Sequence, residues 1–279
     1  MATPDLTRIR SNIQGLNMIG ALRDVNRDVV VHQLRLATGK RINHSYDDPA
    51  GYILASKLET KNRNLQAVYD NIGMSKNLME VAEGGLISMN DIFVTMSEKI
   101  EMAANDTLGD SERQAISKQL VQLVAEVQDI ANQTKFSGIT LLNSATSFSF
   151  QTGEREATVW QTQSYTPDSL GMTTLGTLTE DSIINSTNYG TYLDEVDSAL
   201  DTVTTALARI GSMVNRMTIK EGNIAVSQVN TEAAFDRLMN ADMAMEQLNL
   251  TKMQILQQTS TSMLAQANYN SQAVLALFQ

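Results

Sequence analysis

Residues 58–103 read LETKNRNLQAVYDNIGMSKNLMEVAEGGLISMNDIFVTMSEKIEMA. Leu58, Leu65, Ile72, Met79, Leu86, Phe93 and Ile100 recur at every seventh position, and Lys61, Val68, Ser75, Ala82, Met89, Met96 and Ala103 fill the second position of each heptad. An a/d repeat held over so many turns specifies a helix that winds round other helices in a left-handed supercoil. The start is marked by Asp48, a capping residue, and by Pro49, whose missing N–H costs nothing in a first turn. At 1.5 Å per residue, a helix of some fifty residues spans roughly 75–80 Å. The repeat therefore sets an elongated coiled bundle and leaves function open.

The flanking segments repeat the theme. Residues 8–38 form a helix with Ile9, Ile13 and Leu16 on one face and Leu22, Val25, Val29 and Leu36 continuing after a shift of phase; Gly39 ends it. Residues 41–47 are a polar spacer. Beyond the long helix, residues 106–110 make a turn, and Ser111 with Gln114 reads as a capping box. Ile116, Leu120, Leu123, Val127 and Ile130 then predict a helix folding back antiparallel. A third long helix begins near Tyr192, with a seam of Leu193, Val196, Leu200, Val203, Leu207, Ile210, Val214 and Met217. The seam weakens around Glu221, Gln228 and Thr231 and resumes from Phe235 to Leu277. Between the coiled halves, residues 136–188 are dense in Gly, Ser and Thr, and 146–151 with 157–163 read as a β-hairpin. The expected fold class is mainly α: an elongated antiparallel coiled-coil bundle with a small β-hairpin region in mid-chain. A helix such as 8–38, carrying an unpartnered stripe, needs a distant segment or another molecule to bury it.

Composition narrows the function. The 279 residues are 42% hydrophobic but only 5% aromatic, with 15 methionines and three prolines, which suits narrow helix–helix seams. A net charge of −10 without a basic block argues against nucleic acid and against anionic membrane surfaces. No apolar run is long enough to insert in a membrane, and charged residues interrupt every apolar segment of residues 1–30, so no cleaved signal is expected. There is no cysteine, which suits export unfolded or life outside the cell. His32 and His44 have no metal-ligand spacing and read as solvated residues. Asp47 and Asp48 fit the positive end of a helix, Gly84-Gly85 fits close approach of another helix, and Trp160 fits core filling under the hairpin. Nothing indicates an enzyme: no catalytic residue, no metal ligand and no cofactor site is expected.

Both ends are similar to bacterial flagellin, the subunit of the flagellar filament. The resemblance rests on Arg8-Ile9, Asn12-Ile13 and Leu16-Asn17, on residues 36–43 (LATGKRIN) and 47–51 (DDPAG), and on residues 83–86 (EGGL) and 133–138 (QTKFSG). The C-terminal run 254–258 (QILQQ) followed by 262–268 (SMLAQAN) is the most specific piece. Together these cover about residues 8–143 and 192–279, and the family's variable outer domains are missing.

The resemblance implies a structural subunit that polymerises with itself into the filament for motility. Residues 1–46 and 236–279 would form an inner-tube domain, 47–143 and 190–235 the coiled rod, and 144–189 its hairpin region. Ile9, Ile13, Leu16, Leu22, Val25 and Val29, with Leu248, Ile255, Leu256, Met263 and Leu264, would be the subunit-packing residues. It further implies export unfolded through the flagellar type III channel, an export chaperone on about residues 239–278, and hook-associated junction and cap proteins as partners. The location would be outside the cell in the filament, whether free or within a periplasm. Thr95 stands where relatives sensed by the innate Toll-like receptor usually carry arginine, which implies poor recognition although Glu126 matches. Two other readings remain: a hook–filament junction protein, or a surface-displayed binding module using residues 144–190.

Overall fold

The computed structural model describes residues 12–153, 156–179, 184 and 188–276, with backbone alone over 270–276. In chain order the elements are α1 (Ile13–Thr38), α2 (Pro49–Ala103), α3 (Asp110–Gln133), β1 (Lys135–Phe136), β2 (Ile139–Thr140), β3 (Ser147–Gln151), β4 (Ala157–Gln161), α4 (Thr173–Gly176), α5 (Tyr189–Met239) and α6 (Met243–Ala276). They divide into two compact units, one of Arg63–Val229 and one assembled from Met1–Asn62 with Asn230–Gln279.

In the first unit the heptad of α2 becomes a core. From Leu65 to Ala103 both positions of every heptad are buried, and the one polar member, Ser75, turns its hydroxyl onto the Asn71 carbonyl at 2.7 Å. Ile116, Leu120 and Val127 of α3 and Val196, Val203, Ile210 and Met217 of α5 join the same cluster. Leu58 and Lys61 do not: Leu58 is half-buried and Lys61 exposed, because burial over those turns shifts to Gly51 and Ala55.

On α5 the seam runs in a different phase from the expected one. Tyr192, Ala199 and Ala206 are buried beside Val196, Val203 and Ile210, whereas Leu193, Leu200, Leu207 and Val214 are only half-buried on the flank. Small alanines inside the seam let helices lie close, and the leucines cover the groove from the side. The expected weakening near Glu221 leaves the helix unbroken, since α5 continues to Met239. Its polar seam positions have partners on α2 instead: Lys76 Nζ lies 3.0 Å from Glu221 Oε2, and Gln228 donates to Gln66 at 2.8 Å.

Two local readings are corrected. The Ser111–Gln114 capping box does not form: α3 starts at Asp110 after Gly109, and the Ser111 hydroxyl turns to Glu112 instead. The carboxylates of Asp110 and Glu112 supply the negative charge favoured in a first turn. At Gly85 it is not a helix that comes close. A Cβ there would stand 2.7 Å from Leu142 and Thr134, in the segment that leaves α3, while nothing lies within 4 Å of Gly84.

The mid-chain hairpin is present as β3 paired antiparallel with β4, with Phe148 opposite Trp160. Phe148 and Phe150 alternate with exposed serines, and Trp160 is buried with its ring 5.7 Å from that of Phe148. A second hairpin, β1–β2, was not foreseen. It turns on Ser137 and Gly138, both left-handed at φ 51° and 83°, the geometry of a tight two-residue hairpin loop. It delivers Leu141 and Leu142 into the core. The short α4, also not foreseen, packs Leu175 beside Met172 and Leu178 in that core.

Glu195 of α5 fastens α4. Its carboxylate accepts hydrogen bonds from the Thr174 and Leu175 backbone at 2.8–3.1 Å and from the Thr173 hydroxyl at 3.2 Å. Burial acts to raise its pKa, but the hydrogen bonds from Leu175, Thr174 and Thr173 outweigh it, so the net shift is downward. A folded-state pKa below the unfolded value gives stability that is present above the unfolded value and lost as pH falls through the folded one. In urea unfolding, Glu195→Gln is therefore expected to be less stable than the parent at pH 7, with the gap narrowing as pH falls through the acid range. A gap that stays constant over that range would dismiss the ionised clamp.

Candidate assembly interface

The second unit is built around the pairing of α1 with α6. Gly39, at φ 70°, closes α1 and donates to the Arg35 carbonyl at 2.8 Å. The chain then runs beside the α5–α6 junction: Arg41 N–H donates to the Met239 carbonyl at 2.6 Å, and Ala241 N–H to that of Gly39 at 2.9 Å. Ile42, Ala55 and Met239 form a small core there, with Phe235 and Leu238 packed on it. Asp48 caps α2 by accepting from Gly51 N–H at 2.9 Å. Asp47 accepts from the backbone of His44 and Asn43 at 2.9 and 3.0 Å. The His44 hydrogen bond is the main reason its carboxyl sits below the usual carboxylate range, against the opposing pull of burial. Asp48 thus serves the helix start, as its place in the sequence implied, whereas Asp47 braces the turn before it.

Helices α1 and α6 run antiparallel. Asn12 donates to Asn268 at 3.1 Å, Gln257 to Asn26 at 2.6 Å, and Arg35 to Glu246 at 3.3 Å. The facing line on α1 is Gly15, Met18, Leu22, Val25, Val29, His32 and Leu36; on α6 it is Glu246, Leu250, Met253, Gln257, Ser260, Leu264 and Ala267. Alternating steps of three and four residues on both helices make this a coiled-coil seam. His32 is corrected by it: the ring is no solvated flank residue but meets the Glu246 carboxylate across the seam. Nothing near His32 in the sequence signals this, because its partner lies 214 positions away.

The expected packing residues separate into two sets. Leu22, Val25, Val29 and Leu264 face the partner helix within the same chain. Ile13, Leu16, Leu248, Ile255, Leu256 and Met263 point outward, with Leu16 at 63%, Leu248 at 65% and Ile255 at 60% exposure. Ile9 lies outside the described residues, as do Leu277 and Phe278. The structure adds Val30, Leu34 and Met245 to the outward set; their apolar character was the only available signal. Each helix therefore carries further large apolar side chains turned to water in the single chain, and such side chains gathered on one surface mark an interaction site.

Other surfaces offer less. Among the described residues no group of His, Cys, Asp and Glu is placed to hold a metal ion, and no helix is long and apolar enough to cross a membrane. Trp160, Tyr165 and Tyr192 are buried, so they make no aromatic platform for a ligand. Thr95 and Glu126 share a shallow depression with Lys99, Lys118 and Leu123.

Comparison with known proteins agrees with this architecture. Residues 9–147 match the bacterial flagellin N-terminal helical region, and residues 193–278 the C-terminal helical region. The chain is 28% identical to a flagellin of Listeria innocua over 97% of its own length and 99% of that protein's. It is 30% identical to flagellin FlaB2 of Treponema pallidum, again over 97% and 99%. Among solved structures, Bacillus cereus FlgL superposes with a TM-score of 0.53 at 16% identity, covering 63% of this chain and 96% of that one, a likeness of fold alone.

Proposed function

This chain belongs to the bacterial flagellin family and is a structural subunit of the flagellar filament, an extracellular appendage; from that premise we propose that the outward apolar faces of α1 and α6 are where one copy packs on the next. The supporting observation is the exposure of Leu16, Leu248 and Ile255 even though α1 and α6 already bury a complete seam against each other. Burying each such side chain is worth about 1.5–3 kcal/mol, so six of them repeated at every subunit supply a large driving force. Contacts between unlike faces of identical copies propagate without closing and generate a helical polymer.

Charging this face tests the assignment. The double variant Leu248→Glu/Ile255→Glu is expected to keep the helix content and urea midpoint of the parent but to yield no sedimentable filament. Normal filaments from that variant would sink the assignment.

Within the same reading, residues 1–46 and 236–279 make the inner-tube domain, and 47–143 with 190–235 the rod that carries hairpin region 144–189. Export proceeds unfolded through the flagellar type III channel, a route suited to a chain without cysteine. Before assembly an export chaperone covers about residues 239–278, where α6 has apolar side chains on both its seam and its outer side. Junction and cap proteins of the hook-associated class meet the two ends of the polymer.

A further inference from the structure

Glu246, on the first turn of α6, keeps only 10% of its side chain exposed, and it meets two groups of α1 at once. His32 Nδ1 contacts one carboxylate oxygen, and Arg35 Nη1 stands 3.3 Å from the other. The two α1 side chains are themselves largely covered, at 14% and 26% exposure. The nearby carboxylates are engaged elsewhere: Asp242 accepts from Ala244 and Met245 N–H at the start of α6, and Asp28 lies 3.8 Å from Arg27.

The cluster lies on the seam itself. His32 follows Val29 along the α1 line, and Glu246 precedes Leu250 on that of α6. The remainder of the seam discriminates poorly. On α6 the apolar residues are spread round the helix, with Leu250 and Leu264 inward and Leu248, Ile255 and Met263 outward. Apolar attraction is non-directional, and the other polar members of the α6 line, Gln257 and Ser260, are only half-buried and can turn to water, so a slide of one heptad that sets them where Leu250, Met253, Leu264 or Ala267 now lie is resisted only weakly. The same slide would strand a buried carboxylate away from both its partners, which is heavily penalised. A single buried polar position is known to fix register in coiled coils for this reason.

We infer that His32, Arg35 and Glu246 form a register key, a set of positioning residues that fixes how α1 and α6 align. The alignment decides which apolar side chains of α6 remain outward for the next copy. That consequence rests on the packing proposed above, whereas the register belongs to the single chain and is measurable without it.

The absence of native cysteine makes register readable by disulfide trapping. Cysteines replacing Asn26 and Gln257, whose side chains are hydrogen-bonded, report the native alignment. Cysteines replacing Asn26 and Leu250, or Asn26 and Leu264, report a slip of one heptad in either direction. Trapping is read in polymerising salt, on sedimented and unsedimented protein alike. The parent is expected to trap the native pair almost alone. In His32→Leu/Arg35→Leu/Glu246→Leu, which leaves no buried charge unpaired, the native-to-slipped ratio is expected to fall at least tenfold with helix content retained. An unchanged ratio would overturn the key, since the apolar seam would then be setting the register. Loss of trapping at all three pairs would overturn it too, because the cluster would be supplying the pairing itself. Microscopy of the unmodified parent is scored separately: failure to form filaments would strike the packing proposal and leave the ratio to judge the key.

Discussion

A chain ending at Leu238 is expected to stay a soluble, largely folded monomer and to form no filament under conditions that polymerise the full-length protein. The Arg63–Val229 unit keeps every buried member of its main core, none of which lies beyond Met217. The truncation removes Met239 from the small cluster with Ile42 and Ala55, and it removes the 34 residues of α6 outright. Leu22, Val25 and Val29 then have no seam to bury against, so the 26-residue α1 loses the packing that stabilises it. Circular dichroism should show loss of both helices together with a cooperative melt of the remaining unit. Polymerisation fails because the Leu248–Met263 face is gone and the α1 face is no longer presented by a folded pair. Long filaments from the truncated protein under the microscope would disprove the assembly role of α6.

The parts of this molecule that could be read from sequence are those where one pattern admits one arrangement. Between Leu65 and Ala103 the only large apolar series sits at heptad spacing, and each of its positions is buried. On α5 two heptad series compete: Leu193, Leu200 and Leu207 against Tyr192, Ala199 and Ala206. Hydrophobicity favours the leucines, yet the alanines face inward because close helix approach rewards small size. On α6 apolar residues occur all round, so sequence could name Leu264 and Ile255 as packing residues but could not say that one faces α1 and the other water. The β1–β2 hairpin was hidden for another reason. Its strands are two residues each, too short for any alternation, and only Ser137-Gly138 carried a turn signal. His32 and Glu246 were invisible as a pair because a polar residue at a seam position is interpretable only when its partner is known.

The second large effect concerns stability rather than assembly. Among the described residues Phe93 is the largest side chain with no exposed surface, at the centre of the α2 seam between Met89 and Met96. Replacing it with alanine deletes the ring and leaves a cavity, which for Phe→Ala costs about 3–5 kcal/mol. The two methionines are unbranched and adaptable, so partial collapse into the space should bring the cost toward the lower end of that range. With a slope of about 2–3 kcal/mol per M for a unit of this size, the urea midpoint is expected to drop by about 1–2 M. Val94, next in sequence but on the exposed side of the same helix, serves as the control, and Val94→Ala should move the midpoint by less than about 0.5 kcal/mol in equivalent free energy. Phe93→Ala leaves the outward faces of α1 and α6 untouched. At a temperature well below its melt it should therefore still polymerise, whereas Leu248→Glu/Ile255→Glu should melt normally and fail to polymerise. If Phe93→Ala abolished filaments without lowering the midpoint, core and assembly surface would not be separable in this chain. The opposite pattern follows from a heptad that holds one unit together while a different set of side chains awaits the next subunit.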